Sequence, residues 1–140
     1  MTTITSNQSN AQTDVEAVRA GFDAVAAGDL AAFGAAFHTD ATWNHRNPDQ
    51  LGGIKHGIDE ILGFLGASME LTAGTLRPVP VLYMPDGAGH VAVLTRITAG
   101  RPDGRSFDDT QILYFQLEDG KVRSVDQYVG DPPVVTAFWA

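Results

Sequence analysis

Turn signals divide the second half of this chain and decide what it can build. Pro85-Asp86-Gly87, Pro102-Asp103-Gly104 and Asp119-Gly120 each favour a tight reversal. Proline presets φ, aspartate bonds its own backbone, and glycine accepts left-handed conformations. Around them lie β-rich runs: Leu76 to Met84, His90 to Thr98, Phe107 to Leu117 and Val122 to Val129. The last three, linked by hairpins, predict an antiparallel meander. Pro78 and Pro80 cannot donate to a ladder, so the first run suits an edge or a bulged strand.

The first half reads differently. Thr13-Asp14-Val15-Glu16 has the form of a capping box, and Val15, Val18, Phe22 and Val25 follow at helical spacing. Gly28 closes that helix and Asp29 can cap a second, whose Leu30, Phe33 and Phe37 carry it to about His38. A short strand opens at Ala41. After a Pro/Gly loop, Ile58, Ile61, Leu62, Phe64 and Leu65 predict a third helix that ends at Gly74. Residues 1 to about 12 are polar and read as a mobile arm before a single domain over 13–140. Asp131-Pro132-Pro133 stops the last strand, and Val134 to Trp139 is an apolar tail expected to dock on the body.

Helices followed by an antiparallel meander mean an α+β fold with the helices gathered on one sheet face. The long strand has apolar residues at both parities, Leu113, Phe115 and Leu117 against Ile112 and Tyr114. Its second face therefore also needs cover, and a homodimer through the sheet is the simple cover.

Composition narrows the function classes. A net charge of −8 argues against nucleic acid, whose phosphates are met by Lys and Arg, and against anionic membrane surfaces. With 0 cysteines there is no disulfide, thiolate metal site or cysteine nucleophile. No apolar run reaches the ~20 residues of a membrane span. The first 14 residues lack the basic segment and apolar run of a signal peptide, so a cytoplasmic location is the expectation.

Residues 41–57 hold the candidate site. Two residues apart on a strand, Trp43 and His45 share a face. An aromatic surface beside an imidazole suits a small-molecule pocket, and equally suits a packed strand end.

The element order resembles the SnoaL-like, ketosteroid-isomerase-like branch of the nuclear-transport-factor-two-like superfamily, over roughly Val15 to Trp139. The resemblance is carried by Ala26-Ala27-Gly28-Asp29-Leu30, Phe37-His38-Thr39-Asp40-Ala41-Thr42-Trp43, Gly57-Ile58-Asp59-Glu60-Ile61, Glu118-Asp119-Gly120-Lys121-Val122 and Ala137-Phe138-Trp139. It implies a cone-shaped α+β barrel in which three N-terminal helices pack on a curled antiparallel sheet around a pocket. His45 resembles the position of the general-base aspartate of ketosteroid isomerases, and of a water-orienting asparagine in limonene-type epoxide hydrolases. Trp43 resembles the hydrolase tyrosine, and Arg96 the arginine of its triad. The hydrolase carboxylates are replaced by Thr98 and, near the second position, Gln127. The isomerase's oxyanion tyrosine falls near Gly21 and its protonated aspartate near Gln111. Neither set of relatives' machinery is present whole.

What remains is a histidine-centred site or a site without catalysis. An imidazole ionises near ~6.5 and can exchange protons at neutral pH. His45 is thus the candidate proton shuttle, or a strand-end histidine bonded to a loop carbonyl. Arg96 could steady developing negative charge, or simply pair with Asp108 or Asp109. Asp109 beside His45 would orient the ring. Gln111 and Gln127 could fix a ligand in an apolar pocket, or be satisfied structural amides. Tyr83 could reach the rim, or pack as an edge-strand tyrosine. His38, His45, His56 and His90 fit no metal-ligand spacing, and Gly52-Gly53 fits no phosphate loop, so no metal or cofactor is expected. The leading expectation is a cofactor-independent cyclase, isomerase or dehydratase acting on a small hydrophobic or polyketide-like molecule. The alternatives are a non-catalytic ligand-binding or dimerisation module, and an epoxide hydrolase with an atypical site.

Overall fold

The computed structural model describes residues 3–140, with side chains from residue 10 on. In chain order it contains α1 (Thr3–Ala27), α2 (Leu30–Ala35), β1 (Phe37–His45), β2 (Gly53–His56) and α3 (Ile58–Leu71). There follow β3 (Arg77–Pro85), β4 (His90–Gly100), β5 (Ser106–Glu118), β6 (Lys121–Tyr128) and α4 (Pro132–Trp139).

The helices are amphipathic elements laid on the sheet. Helix α1 runs through Thr13 instead of starting there, because residues 3–12 contain no glycine or proline to stop it. The expected arm lies partly outside the described residues; over residues 3–12 the backbone is helical. Asp14, expected in a capping box, instead accepts the Gly89 N–H at 3.1 Å and ties α1 to the β3–β4 turn. Asp29 caps α2 as expected, its Oδ1 accepting the Ala32 N–H at 3.0 Å. Helix α2 stops at Ala35, short of His38, because the Val122 N–H donates to the Ala36 carbonyl at 2.9 Å and draws Phe37 into β1.

The sheet is curled and unclosed, in the order β2-β1-β6-β5-β4-β3. All neighbours are antiparallel except β1 and β6, which run parallel. That departs from the all-antiparallel expectation. A hairpin forces its strands antiparallel, whereas β1 and β6 are joined only through α3 and the meander and are free of that constraint. Strand β2 was not foreseen, since its Gly53-Ile54-Lys55-His56 lies in what reads as loop. Register shifts between Pro80 and Leu82 and between Gln116 and Leu117 mark bulges, which sharpen the twist.

Alternation assigns the two faces. Val91, Val93, Thr95, Ile97 and Ala99 on β4, and the odd positions Phe107 to Phe115 on β5, are buried beneath the helices. The opposite face is more open and carries Arg96, Asp108, Ile112 and Tyr128. The apolar tail folds as α4, capped by Asp131 and opened by Pro132 and Pro133. It buries Val135, Phe138 and Trp139, with Phe138 4.6 Å from Phe107 between ring centroids. The result is the α+β cone anticipated, with a fourth helix added at its end.

Candidate functional site

A cavity lies between the concave sheet face and α1, α3 and α4. Its volume is about 90 Å³. One water needs roughly 10–15 Å³, so the space suits several waters or a small organic molecule. Phe22, Phe64, Ile97, Phe107 and Phe115 make its wall largely apolar. Among the described residues that line it, Trp43, His45, Ser68, Gln111, Gln127 and Trp139 carry a polar side-chain atom, and of these His45 is the titratable one.

His45 ends β1 with 3 % of its surface exposed, packed 5.7 Å from Phe64 between ring centroids. Its Nε2 lies 2.9 Å from Oδ2 of Asp49, whose side chain is fully buried. Burial pushes the Asp49 carboxyl up. The hydrogen bonds from His45, Asn47 and the Leu51 N–H, together with the His45 charge, outweigh burial and hold it below its usual value. An ionised carboxylate only accepts hydrogen bonds, so Nε2 must donate. In the neutral ring Nδ1 then carries the lone pair, and it has no hydrogen-bond partner in the protein.

The loop between β1 and β2 is folded to deliver Asp49. Leu51 N–H donates to Oδ1 at 2.8 Å, and Asn47 Nδ2 bridges Oδ2 at 2.5 Å and Thr136 Oγ1 at 3.1 Å. Gly52 is required, because a Cβ there would lie 2.2 Å from the Asn47 carbonyl oxygen. Lys55 closes the loop from β2, donating to the carbonyls of Leu51, Gly52 and Gly53, the last two at 2.9 and 3.0 Å. With its three N–H bonds spent, Lys55 is a clasp with no proton to spare for a substrate.

A second buried network crosses the sheet beneath the cavity. Trp43 Nε1 donates to Gln127 Oε1 at 2.9 Å, and Gln127 Nε2 donates to Gln111 Oε1 at 2.8 Å. Gln111 Nε2 donates to Asp109 Oδ2 at 3.1 Å, where the Gly130 N–H also arrives at 2.9 Å. Gly130 permits that approach: a Cβ would meet the Thr110 carbonyl oxygen at 2.3 Å and Asp109 Oδ1 at 2.8 Å.

The expected site residues divide accordingly. Trp43, His45, Gln111 and Gln127 converge on the cavity. Asp109 does not partner His45. It anchors the amide chain, and Asp49, which the sequence reading passed over as loop, holds the imidazole instead. Arg96 is displaced altogether: its even position on β4 turns it to the outer face, 61 % exposed and paired with Asp108 at 2.9 and 2.5 Å. Tyr83 does not line the cavity. It packs on α1, edge-on to Phe22 at 6.3 Å with the Arg19 guanidinium 5.0 Å from its ring centroid. Among the described residues, no group of three or more His, Cys, Asp or Glu is placed to hold a metal ion.

Comparison with known proteins agrees with this architecture. Residues 18–125 match the SnoaL-like domain family. An uncharacterized protein of Mycobacterium tuberculosis (strain ATCC 25618 / H37Rv) is 26 % identical over 127 residues, covering 91 % of this chain and 96 % of that protein. The structure of Bal32a, from a soil-derived mobile gene cassette, superposes with a TM-score of 0.90 at 25 % identity, over 94 % of this chain and 99 % of that one. TerC, co-crystallized with polyporic acid, superposes with a TM-score of 0.80 at 21 % identity, over 90 % of this chain and 97 % of that one.

Proposed function

The chain belongs to the SnoaL-like domain family, and on that premise we propose that it is a cofactor-independent acid–base enzyme of cyclase, isomerase or dehydratase type. Its substrate is a small hydrophobic or polyketide-like molecule held in the cavity. The observation that carries the reading is the His45–Asp49 pair at 2.9 Å, set in an apolar wall with Nδ1 unpartnered. Asp49 orients the ring and balances its charge when protonated, and Nδ1 takes up and returns the substrate proton. This is the logic of a carboxylate–imidazole pair without a nucleophile. That TerC, a protein of the same fold, was co-crystallized with polyporic acid supports a small organic ligand.

A second reading is favoured by one specific observation. Arg96, the one arginine that would have steadied negative charge in the relatives' manner, lies on the far face. A cavity whose described lining holds no lysine or arginine suits a non-catalytic binding module of the same fold. His45→Ala separates the two: a general base loses on the order of 10²–10⁴ in rate, whereas a binding module loses only affinity. A loss below tenfold in a working turnover assay refutes the acid–base reading.

The outer sheet face supports a homodimer. Leu82, Leu94, Ile112 and Tyr128 stand in one row across β3, β4, β5 and β6, each the register partner of the next. Leu82 and Tyr128 are 51 % and 47 % exposed in the single chain, and a contiguous apolar row is a mark of an interaction surface. No helix of the described residues is long and apolar enough to cross a membrane. A cytoplasmic location is proposed from the sequence.

A further inference from the structure

The amide chain under the cavity has a direction, and its two ends set that direction. Trp43 can only donate, since an indole N–H has no acceptor. At the other end Oδ2 of Asp109 accepts the Gly130 N–H at 2.9 Å, which marks that oxygen as the acceptor. Between these fixed ends Gln127 and Gln111 have one consistent orientation each: Oε1 toward the Trp43 side, Nε2 toward the Asp109 side. Reversing either amide would set two donors or two acceptors face to face.

This bookkeeping leaves one N–H unspent on each glutamine. Every Nε2 has two hydrogens, and the chain uses one. Both glutamines lie in the cavity wall and are almost fully buried, at 2 % and 8 % exposed. Buried N–H groups without acceptors are rarer than under-used carbonyl oxygens, so the wall is in need of acceptors. His45 is the register partner of Gln127 across β1 and β6, and Gln111 is hydrogen-bonded to Gln127, so the glutamine pair lies next to the strand position that carries the imidazole.

From this we infer that the cavity selects an uncharged, mostly apolar ligand by one carbonyl oxygen, held by the Gln111 and Gln127 amides next to His45. A carboxylate is disfavoured. An anion buried in an apolar wall needs a cation, and Arg96 is on the other side of the sheet. A hydrocarbon of the same shape leaves both N–H groups dry. The inference rests on the pocket reading above and names the ligand chemistry of that site.

Three shape-matched probes test it: 2-acetylnaphthalene, 2-isopropenylnaphthalene, in which CH₂ replaces the carbonyl oxygen, and 2-naphthoate. Binding is measured by calorimetry at pH 9, with the Gln side-chain amide and Trp43 indole signals followed by NMR. The ketone is expected to bind on the order of tenfold tighter than either partner, the worth of one or two neutral hydrogen bonds. The double variant Gln111→Met/Gln127→Met, which removes both amide donors, should erase most of that preference, whereas Gln111→Met alone should not, because it frees the Gln127 N–H that Gln111 had accepted. Equal affinity for ketone and hydrocarbon, tighter binding of the carboxylate, or no binding by any of the three overturns the inference. Ketone preference does not require turnover, so it should survive in His45→Ala. A protein that keeps the preference but shows no rate dependence on His45 would lose the acid–base reading and keep this one.

Discussion

Nε2 of His45 and Oδ2 of Asp49 are 2.9 Å apart across a loop turn, and this one contact fixes which face of the imidazole is available for chemistry. The Asp49 carboxylate accepts the hydrogen bond from Nε2, and Nδ1, which has no partner in the protein, is the nitrogen left for a ligand. Every other feature of the site can be read as support for that contact or as a wall around it.

The contact also has an acid signature. Asp49 is held below the ordinary carboxylate value of 3.8. A carboxyl depressed on folding contributes stability that is complete above its unfolded pKa of ~3.9 and is lost as pH falls through the folded value. Unfolding free energy should therefore drop below about pH 4, and Asp49→Asn should flatten that part of the profile. Denaturant melts at pH 2.5 and 6 measure it; an unchanged slope in the variant would show that Asp49 is not ionically engaged.

Gly52→Ala tests the loop that delivers Asp49. Its Cβ would sit 2.2 Å from the Asn47 carbonyl oxygen, so the loop must open. A loss of ~1–3 kcal/mol is expected, the range of a steric or strain effect at a special backbone position. The His45 ring signals should broaden with it. A stable variant with unchanged His45 spectra would mean that the loop tolerates movement without disturbing the dyad.

Arg96→Gln should leave ligand binding and turnover within about twofold of the parent, because its guanidinium pairs with Asp108 in solvent, where exposed ion pairs contribute little. A large loss of function would return the arginine to the site by a route the present geometry does not contain.

The outer face predicts a dimer at micromolar concentration by sedimentation. Ile112→Lys puts a charge in the middle of the Leu82–Leu94–Ile112–Tyr128 row and should yield monomers with the cavity intact. A parent protein that sediments as a monomer refutes the proposal.

Most of the fold is legible in the sequence because its signals are local. The Pro-Asp-Gly and Asp-Gly turns fix the meander, and Asp29 announces α2. The misreadings come where a distant strand decides. Phe37 reads as helix by its spacing from Phe33, yet Val122 draws it into β1. The parallel β1–β6 pairing has no local signature at all. In the site, alternation along the strands brings Trp43, His45, Gln111 and Gln127 to one cavity wall. The same rule, applied to β4, would have turned Arg96 away: its neighbours Thr95 and Ile97 are the buried ones. Asp49 was missed because its reach to His45 depends on loop geometry. The available clue was an acid four residues after the histidine and a glycine three residues further on.

The most direct test of the account is the tautomer and ligand response of His45, read by ¹⁵N NMR of the imidazole at pH 9 with and without 2-acetylnaphthalene. The account predicts a proton on Nε2, an unprotonated Nδ1, and an Nδ1 resonance that moves when the ketone binds. A proton on Nδ1, or an Nδ1 resonance indifferent to the bound ketone, would contradict it.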